Sequence, residues 1–180
     1  VRESLYTGRS GIRFEPERKE MGFRSGLSGH IESPNLKGLL DRRSRVGLPE
    51  QGKYAYLATL EAFKTAGIDQ EYLESIEAGI LYGNDSSSIP VIEAIDMMRE
   101  KKDTTLLGSG SIFQSMNSTI SMNLSVIFKL RGINFSVSGA CASGSHALGM
   151  AYFLIRHGYQ DCILAGGGQE INPESMGSFD

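Results

Sequence analysis

The chain has 180 residues, 40% of them hydrophobic and 22% charged, which is ordinary for a soluble globular domain. Its net charge of −3 provides no basic field for nucleic acid or an anionic membrane. Two cysteines are too few for a disulfide framework and favour a reducing, cytoplasmic setting, and no apolar run has the length of a membrane span.

The first half of the chain contains two recognisable helices. Residues 1–6 are typical of the end of a helix, and a glycine turn follows at 8–11. We expect 12–44 to be irregular, except for a short helix at 36–43. Apolar residues at helical spacing predict a helix over 52–66 with Gly67 as its C-cap, and 71–76 predicts one more helical turn.

The second half alternates strands with helices. Strands are predicted at 78–82, 133–137 and 162–165, and helices at 90–101, 112–130 and from just after Cys141 to about Arg156. This alternation indicates an α/β fold with a layered, mostly parallel sheet. The glycines at 166–168 are interpreted as close backbone packing at a strand end, because they lack a full dinucleotide fingerprint.

Cys141 is the most informative residue. It lies between an apolar strand and a helix of small residues, where unpaired N–H groups and the helix dipole favour thiolate, the nucleophilic form. Its small neighbours leave room for an acyl group and for amides close to an oxyanion. These features predict a cysteine nucleophile for acyl transfer, although most free cysteines are simply buried apolar residues.

The other candidate side chains have plainer interpretations. Cys162 lies within a short apolar run and is predicted to be core. His146 is five residues from Cys141, which places it on another face of the helix, and a structural role is expected. His30 and His157 are expected on the surface. No cluster has metal-ligand spacing, so neither a metal nor another cofactor is expected.

Two runs carry a family resemblance. GINFSVSGACASGSHALG (132–149) and GYQDCILAGGGQE (158–170) resemble the β-ketoacyl-acyl-carrier-protein synthases, type I/II condensing enzymes of the thiolase-like fold. The likeness extends over all of 1–180 and implies the N-terminal half of a layered α-β-α domain, without its first strand and its C-terminal half. In this family Cys141 matches the residue that accepts an acyl chain from a carrier-protein thioester.

The resemblance also implies partners and further residues. Acyl- and malonyl-loaded carrier protein would be the substrates, decarboxylative condensation would extend the chain by two carbons, and a homodimer is expected. The family's two catalytic histidines and its lysine would lie beyond Asp180, so residues 1–180 alone are expected to lack condensing activity. Because the family's other half packs on this sheet, exposed apolar surface is also expected.

Two weaker assignments concern the acyl pocket. Asn84 resembles a residue at the bottom of the pocket, where a polar side chain would shorten the accepted chain or admit a polar one; a local turn role is the alternative. Met116 resembles a pocket residue contributed by the partner subunit of the dimer, and a core role is the alternative.

Several other functions stay open. The product could be a fatty acid, or a polyketide such as an aryl polyene. The chain could also be a non-catalytic ketosynthase-like subunit, but such subunits replace the cysteine that is retained here. A cysteine hydrolase would need His and Asp or Asn partners that no run supplies. A thiolase shares the fold, but the residues around Cys141 favour the carrier-protein enzymes.

Overall fold

A computed structural model describes residues 2–180; Val1, predicted to be helical, lies outside the described residues. The elements in chain order are α1 (Arg2–Tyr6), β1 (Ile12–Phe14), α2 (Pro16–Glu20), β2 (Leu27–Gly29), α3 (Arg42–Gly47), α4 (Glu50–Ala66), α5 (Gln70–Ser75), β3 (Gly79–Gly83), α6 (Ile89–Lys101), α7 (Gly110–Ser115), α8 (Thr119–Ile127), β4 (Asn134–Val137), a 3₁₀ turn (Ala140–Ala142), α9 (Ser143–Arg156), β5 (Ile163–Gly167), α10 (Pro173–Met176) and a second 3₁₀ turn (Gly177–Phe179).

The central sheet has three parallel strands in the order β4-β3-β5. Leu81 in the middle strand pairs with Phe135 on one side and with Ala165 on the other. All five residues of β3 are buried, as expected for a parallel strand covered on both faces. The prediction of a mostly parallel sheet flanked by helices is confirmed.

Helices pack on both faces of this sheet. Ile80 and Tyr82 belong to the main core cluster, together with Tyr56 of α4 and with Ile120 and Leu124 of α8. Residues alternate between the faces of a strand, so Leu81 and Gly83 face α9, which buries Ser143, Ala147 and Ala151. Each large apolar side chain in this core stabilises the fold by about 1.5–3 kcal/mol relative to exposure.

Most predicted elements are observed within two residues of their expected bounds. Helix α4 ends at Gly67, whose φ of 69° is the left-handed C-cap that the sequence predicted. The predicted elements at 71–76, 78–82, 90–101, 133–137 and 162–165 correspond to α5, β3, α6, β4 and β5.

The prediction of irregular structure over 12–44 is wrong in part. Strands β1 and β2 form a two-stranded antiparallel sheet with Ile12 opposite Gly29, and α2 lies between them. These strands have only three residues each and their apolar side chains are exposed, so they are shorter than the run over which alternation identifies a half-buried strand. The helix predicted at 36–43 is displaced to α3, because Asp41 caps it by accepting from the amides of Arg43 and Ser44.

The single helix predicted over 112–130 is two helices, α7 and α8. Met116 between them is extended, with ψ of 141°. Asn117 is held by tertiary contacts: its carbonyl accepts from the Asn84 side chain at 3.1 Å, and its Nδ2 donates to Ser138 Oγ at 2.8 Å. These contacts place the backbone of 116–118 outside a helix although the apolar spacing continues through it.

The outer face of α9 is apolar and exposed. Leu148, Tyr152 and Ile155 are 56%, 61% and 43% exposed, so the expected exposed apolar surface is observed. Over residues 2–180, none of the helices has the length and hydrophobicity that a bilayer crossing requires.

Candidate active site around Cys141

The carboxyl ends of the three parallel strands meet at one edge of the sheet. Gly83, Val137 and Gly167 end their strands there, and ligands of open α/β sheets bind at this edge. A cavity of about 770 Å³ opens at that edge. Its lining includes Gly83, Asn84, Cys141, Gly144, Leu148 and Gln169.

Cys141 lies in this cavity and is exposed. It occupies the 3₁₀ turn just before α9 rather than the first turn of the helix itself, which corrects the predicted position by one short turn. The reason is Ala140, whose φ of +47° is incompatible with a right-handed helix. A non-glycine residue in that region costs about 1–3 kcal/mol and is often found at functional sites.

The strained turn is held by the hydroxyl of Ser143. This oxygen accepts from the Gly139 amide at 2.9 Å and donates to the Ala140 carbonyl at 2.7 Å. The turn is closed by the amides of Ala142 and Ser143, which donate to the carbonyls of Gly139 and Ala140. The Cys141 amide is used by neither of these two bonds.

Glycine contacts bring α9 close to the strand ends. A Cβ at Gly83 would collide with the Ser143 backbone and lie 2.5 Å from the Gly144 nitrogen, and a Cβ at Gly167 would lie 2.8 Å from the Gly144 Cα. The backbones therefore approach to distances that only glycine permits. The interpretation of 166–168 as close packing at a strand end is confirmed, because Gly166 and Gly168 also lie against the Tyr82 ring.

Asn84 directly follows β3 and lines the same cavity as Cys141. Its side chain is 1% exposed, and its Nδ2 donates to the Asn117 carbonyl, which fixes the orientation of the amide. Its Oδ1 is buried and has no hydrogen-bond donor among residues 2–180. Burying an unpaired acceptor costs about 1–3 kcal/mol, so local turn formation alone does not account for this side chain.

The remaining sequence candidates lie outside the cavity. Met116 is 38% exposed and does not line the cavity within this chain; its contribution to a partner's pocket stays a prediction. His146 is exposed and its ring lies against Gly139. Cys162 packs against the core as predicted, and burial raises the pKa of its thiol. His157 and His30 are both exposed as expected, and His30 Nδ1 is hydrogen-bonded to Glu15 Oε1 at 2.8 Å.

Glu170 is a buried carboxylate whose position the sequence did not reveal. It is 1% exposed, and its oxygens accept from the amides of Ser88 and Ile89 at the start of α6 and from the Ser88 hydroxyl and Asn172 side chain. Burial raises the pKa of Glu170, but these hydrogen bonds outweigh burial and hold the pKa below its ordinary value.

Glu170 thereby fixes the loop between β3 and α6. That loop contributes Asn84 and Asp85 to the cavity, and the carboxylate also complements the positive end of α6. An acidic residue just after a glycine-rich strand end was the available signal. Its donors at Ser88 and Ile89 lie more than 80 residues away in sequence, so only the fold brings them to the carboxylate.

Comparison with known proteins decides the family. The model of the β-ketoacyl synthase N-terminal domain matches residues 1–180. The chain belongs to the β-ketoacyl synthase family. One relative of this chain is 3-oxoacyl-[acyl-carrier-protein] synthase 1 of Buchnera aphidicola subsp. Schizaphis graminum, which is 37% identical over all of the chain and 45% of its own length. The chain thus spans less than half the length of that curated relative.

Solved structures give the same fold. The crystal structure of a β-ketoacyl synthase from Burkholderia phymatum superposes on this chain with a TM-score of 0.86 and 29% identity, over 99% of the chain and 44% of that protein. A second structure is AntDE:AntF, a type II PKS acyl-carrier protein in complex with its ketosynthase bound to the hexaketide. It superposes with a TM-score of 0.70 and 18% identity, over 83% of this chain and 43% of the matched chain. The latter likeness shows the fold alone.

Proposed function

We propose that the protein is a β-ketoacyl-acyl-carrier-protein synthase in which Cys141 carries the growing acyl chain. The observation that carries this proposal is an exposed cysteine on a strained turn, facing a cavity at the carboxyl edge of a parallel sheet. Membership of the family and the names of the relatives support it.

The first half-reaction is transfer of the acyl group to sulfur. The Cys141 thiolate attacks the carbonyl carbon of an acyl-carrier thioester, an S–C bond forms, and the carrier's thiolate leaves with its electron pair. The tetrahedral intermediate places negative charge on oxygen. The Cys141 amide, which the closing bonds of its turn do not use, is suited to donate to that oxyanion.

The second half-reaction makes the carbon–carbon bond. Malonyl-carrier protein loses CO₂, and the electron pair of the broken bond attacks the acyl carbonyl held on Cys141. The Cys141 thiolate then leaves, which yields a β-ketoacyl product lengthened by two carbons. Two histidines that support decarboxylation, and a lysine of the catalytic region, are proposed to lie beyond Asp180.

The proposed partner is an acyl carrier protein, and the proposed assembly is a homodimer in which Met116 lines the partner's pocket. The relatives carry the carrier protein in their name, and a structural neighbour was solved with a carrier protein bound. Both observations concern those proteins and support the proposal by similarity.

Mass spectrometry of the full-length protein tests the nucleophile. Incubation with an acyl-carrier thioester should add one acyl mass to the Cys141 peptide of the wild type and of Cys162→Ser, but not of Cys141→Ala. Cys162 is a matched control because it is the other free thiol of the chain. Acylation of Cys141→Ala, or none of the wild type, would contradict the proposal.

A polyketide product is the second candidate. It is favoured by the unpaired Asn84 Oδ1, since Asn84 lines the cavity with Cys141 and this acceptor could pair with a hydroxyl or enol on a partly processed chain after a small movement. A plain saturated chain offers no such donor. Competition between β-hydroxyacyl and saturated acyl carriers for Cys141 distinguishes the two: preference for the β-hydroxyacyl chain supports the polyketide alternative.

A further inference from the structure

A second, smaller cavity lies away from Cys141. It has a volume of about 180 Å³ and is bounded by α2, by β2 with the residues after it, and by 171–173. Its lining includes Glu15, Arg18, Ser28, His30 and Asn172, none of which lines the Cys141 cavity.

Arg18 is the unusual group in this second cavity. It is only 8% exposed, and its guanidinium carbon lies 4.2 Å from the centre of the Phe23 ring. Its Nε is buried without a hydrogen-bond partner, and no carboxylate of residues 2–180 forms an ion pair with it. A buried guanidinium is costly unless it is paired and hydrogen-bonded, and one aromatic ring supplies neither acceptor nor counter-charge.

The carboxylate in the lining of this cavity is already engaged. Glu15 Oε1 lies 2.8 Å from His30 Nδ1, so the carboxylate that could neutralise Arg18 is directed to His30 instead. The cavity therefore combines an unpaired, planar set of N–H donors with a volume suited to an ion of a few atoms. Guanidinium groups bind tetrahedral and planar oxyanions through two parallel hydrogen bonds.

We propose that this cavity binds a small oxyanion of the phosphate class, with Arg18 as its principal ligand. The Glu15 carboxylate lines the same cavity and repels any further anion. The site is therefore limited to a single small anion. The site is independent of the reaction at Cys141, so the proposed synthase activity and this binding can fail separately.

Titration of the full-length protein with inorganic phosphate tests the site. Isothermal calorimetry at constant ionic strength, balanced with NaCl, should show saturable binding of one phosphate per chain. Arg18→Met should weaken it by at least about tenfold, the effect of losing a charge-assisted hydrogen bond. Arg13→Met is the matched control, because Arg13 is an exposed arginine of β1 outside this cavity, and it should bind like the wild type.

Thermal unfolding adds a readout that a purely structural arginine would not give. Phosphate should raise the melting temperature of the wild type and of Arg13→Met but not of Arg18→Met. Without phosphate, Arg18→Met should be at least as stable as the wild type, because an apolar side chain replaces an unpaired buried charge. Wild-type phosphate affinity in Arg18→Met, or an absence of saturable binding in the wild type, overturns the proposal.

Hydrogen exchange on the wild type tests the location without any variant. Phosphate should slow exchange in 15–30 and 171–173 and leave the amides of 139–145 unchanged. Protection centred on the Cys141 turn instead would place the anion in the other cavity and would equally overturn the proposal.

Discussion

The Ser143 hydroxyl and the Ala140 carbonyl are joined by a 2.7 Å hydrogen bond that spans the turn holding Cys141. The same hydroxyl accepts from the Gly139 amide, so one side chain satisfies two backbone groups around a residue with φ of +47°. The position of the Cys141 sulfur therefore depends on an adjacent serine that has no part in the proposed bond-making steps.

Replacing Ser143 with alanine should loosen this turn. We expect Ser143→Ala to lower the acylation rate of Cys141 about tenfold, equivalent to about 1.4 kcal/mol, and to destabilise the protein by about 1 kcal/mol. Acylation kinetics by mass spectrometry and urea unfolding measure the two effects. Thr65→Ala removes a similar hydroxyl-to-carbonyl bond at an exposed position of α4 and should leave acylation unchanged; equal rates in both variants would contradict a positioning role for Ser143.

Substitution of Gly83 should damage the contact between β3 and α9. A Cβ there collides with the Ser143 backbone, and backbone cannot move aside as a flexible side chain can. We expect Gly83→Ala to cost about 1–3 kcal/mol of stability, measured by thermal or urea unfolding.

Gly149→Ala is the control for Gly83→Ala on the exposed part of α9. A Cβ at Gly149 meets nothing within 4 Å, and alanine favours helix over glycine by up to about 1 kcal/mol. We therefore expect this variant to unfold at a slightly higher temperature. A stability loss in Gly149→Ala as large as that in Gly83→Ala would show that close approach is not the cause.

Glu170 should make stability depend on pH. Because its folded pKa lies below the ordinary value, its contribution is fully present at neutral pH. It is lost as pH falls below about 4.3, the ordinary glutamate value, and through the lower folded pKa. Glu170→Gln should therefore be less stable than the wild type at pH 7 by about 1–3 kcal/mol, and the difference should shrink with acidification. Urea unfolding at pH 7 and at about pH 3, below the ordinary glutamate pKa, measures it, and a constant difference at both pH values argues against the carboxylate's role.

Asn84→Leu should change which acyl chains the cavity accepts. The variant removes the unpaired Oδ1 and makes this part of the wall apolar, so we expect preference to shift toward saturated chains over β-hydroxyacyl chains by about tenfold. Competition between the two acyl carriers for Cys141 measures the ratio. An unchanged ratio with normal acylation would show that Asn84 does not contact the chain.

The sequence alone predicted Cys141 as the nucleophile and predicted much of the fold. Helix spacing, the Gly67 cap and the small residues around Cys141 are local signals, because they express backbone conformations that neighbouring residues determine. The run from 132 to 170 also carried enough of the family pattern to indicate the reaction class, which the family match supports.

Tertiary structure decided what depends on residues far apart in the chain. The break between α7 and α8 follows from contacts of Asn117 with Asn84 and Ser138, and Glu170 meets α6 across 82 positions. The Oδ1 of Asn84 and the guanidinium of Arg18, which have no hydrogen-bond or ion-pair partner among residues 2–180, are likewise recognised only from the folded structure. Local sequence preferences cannot predict such long-range contacts, because the contacts contribute free energy only once the chain has folded.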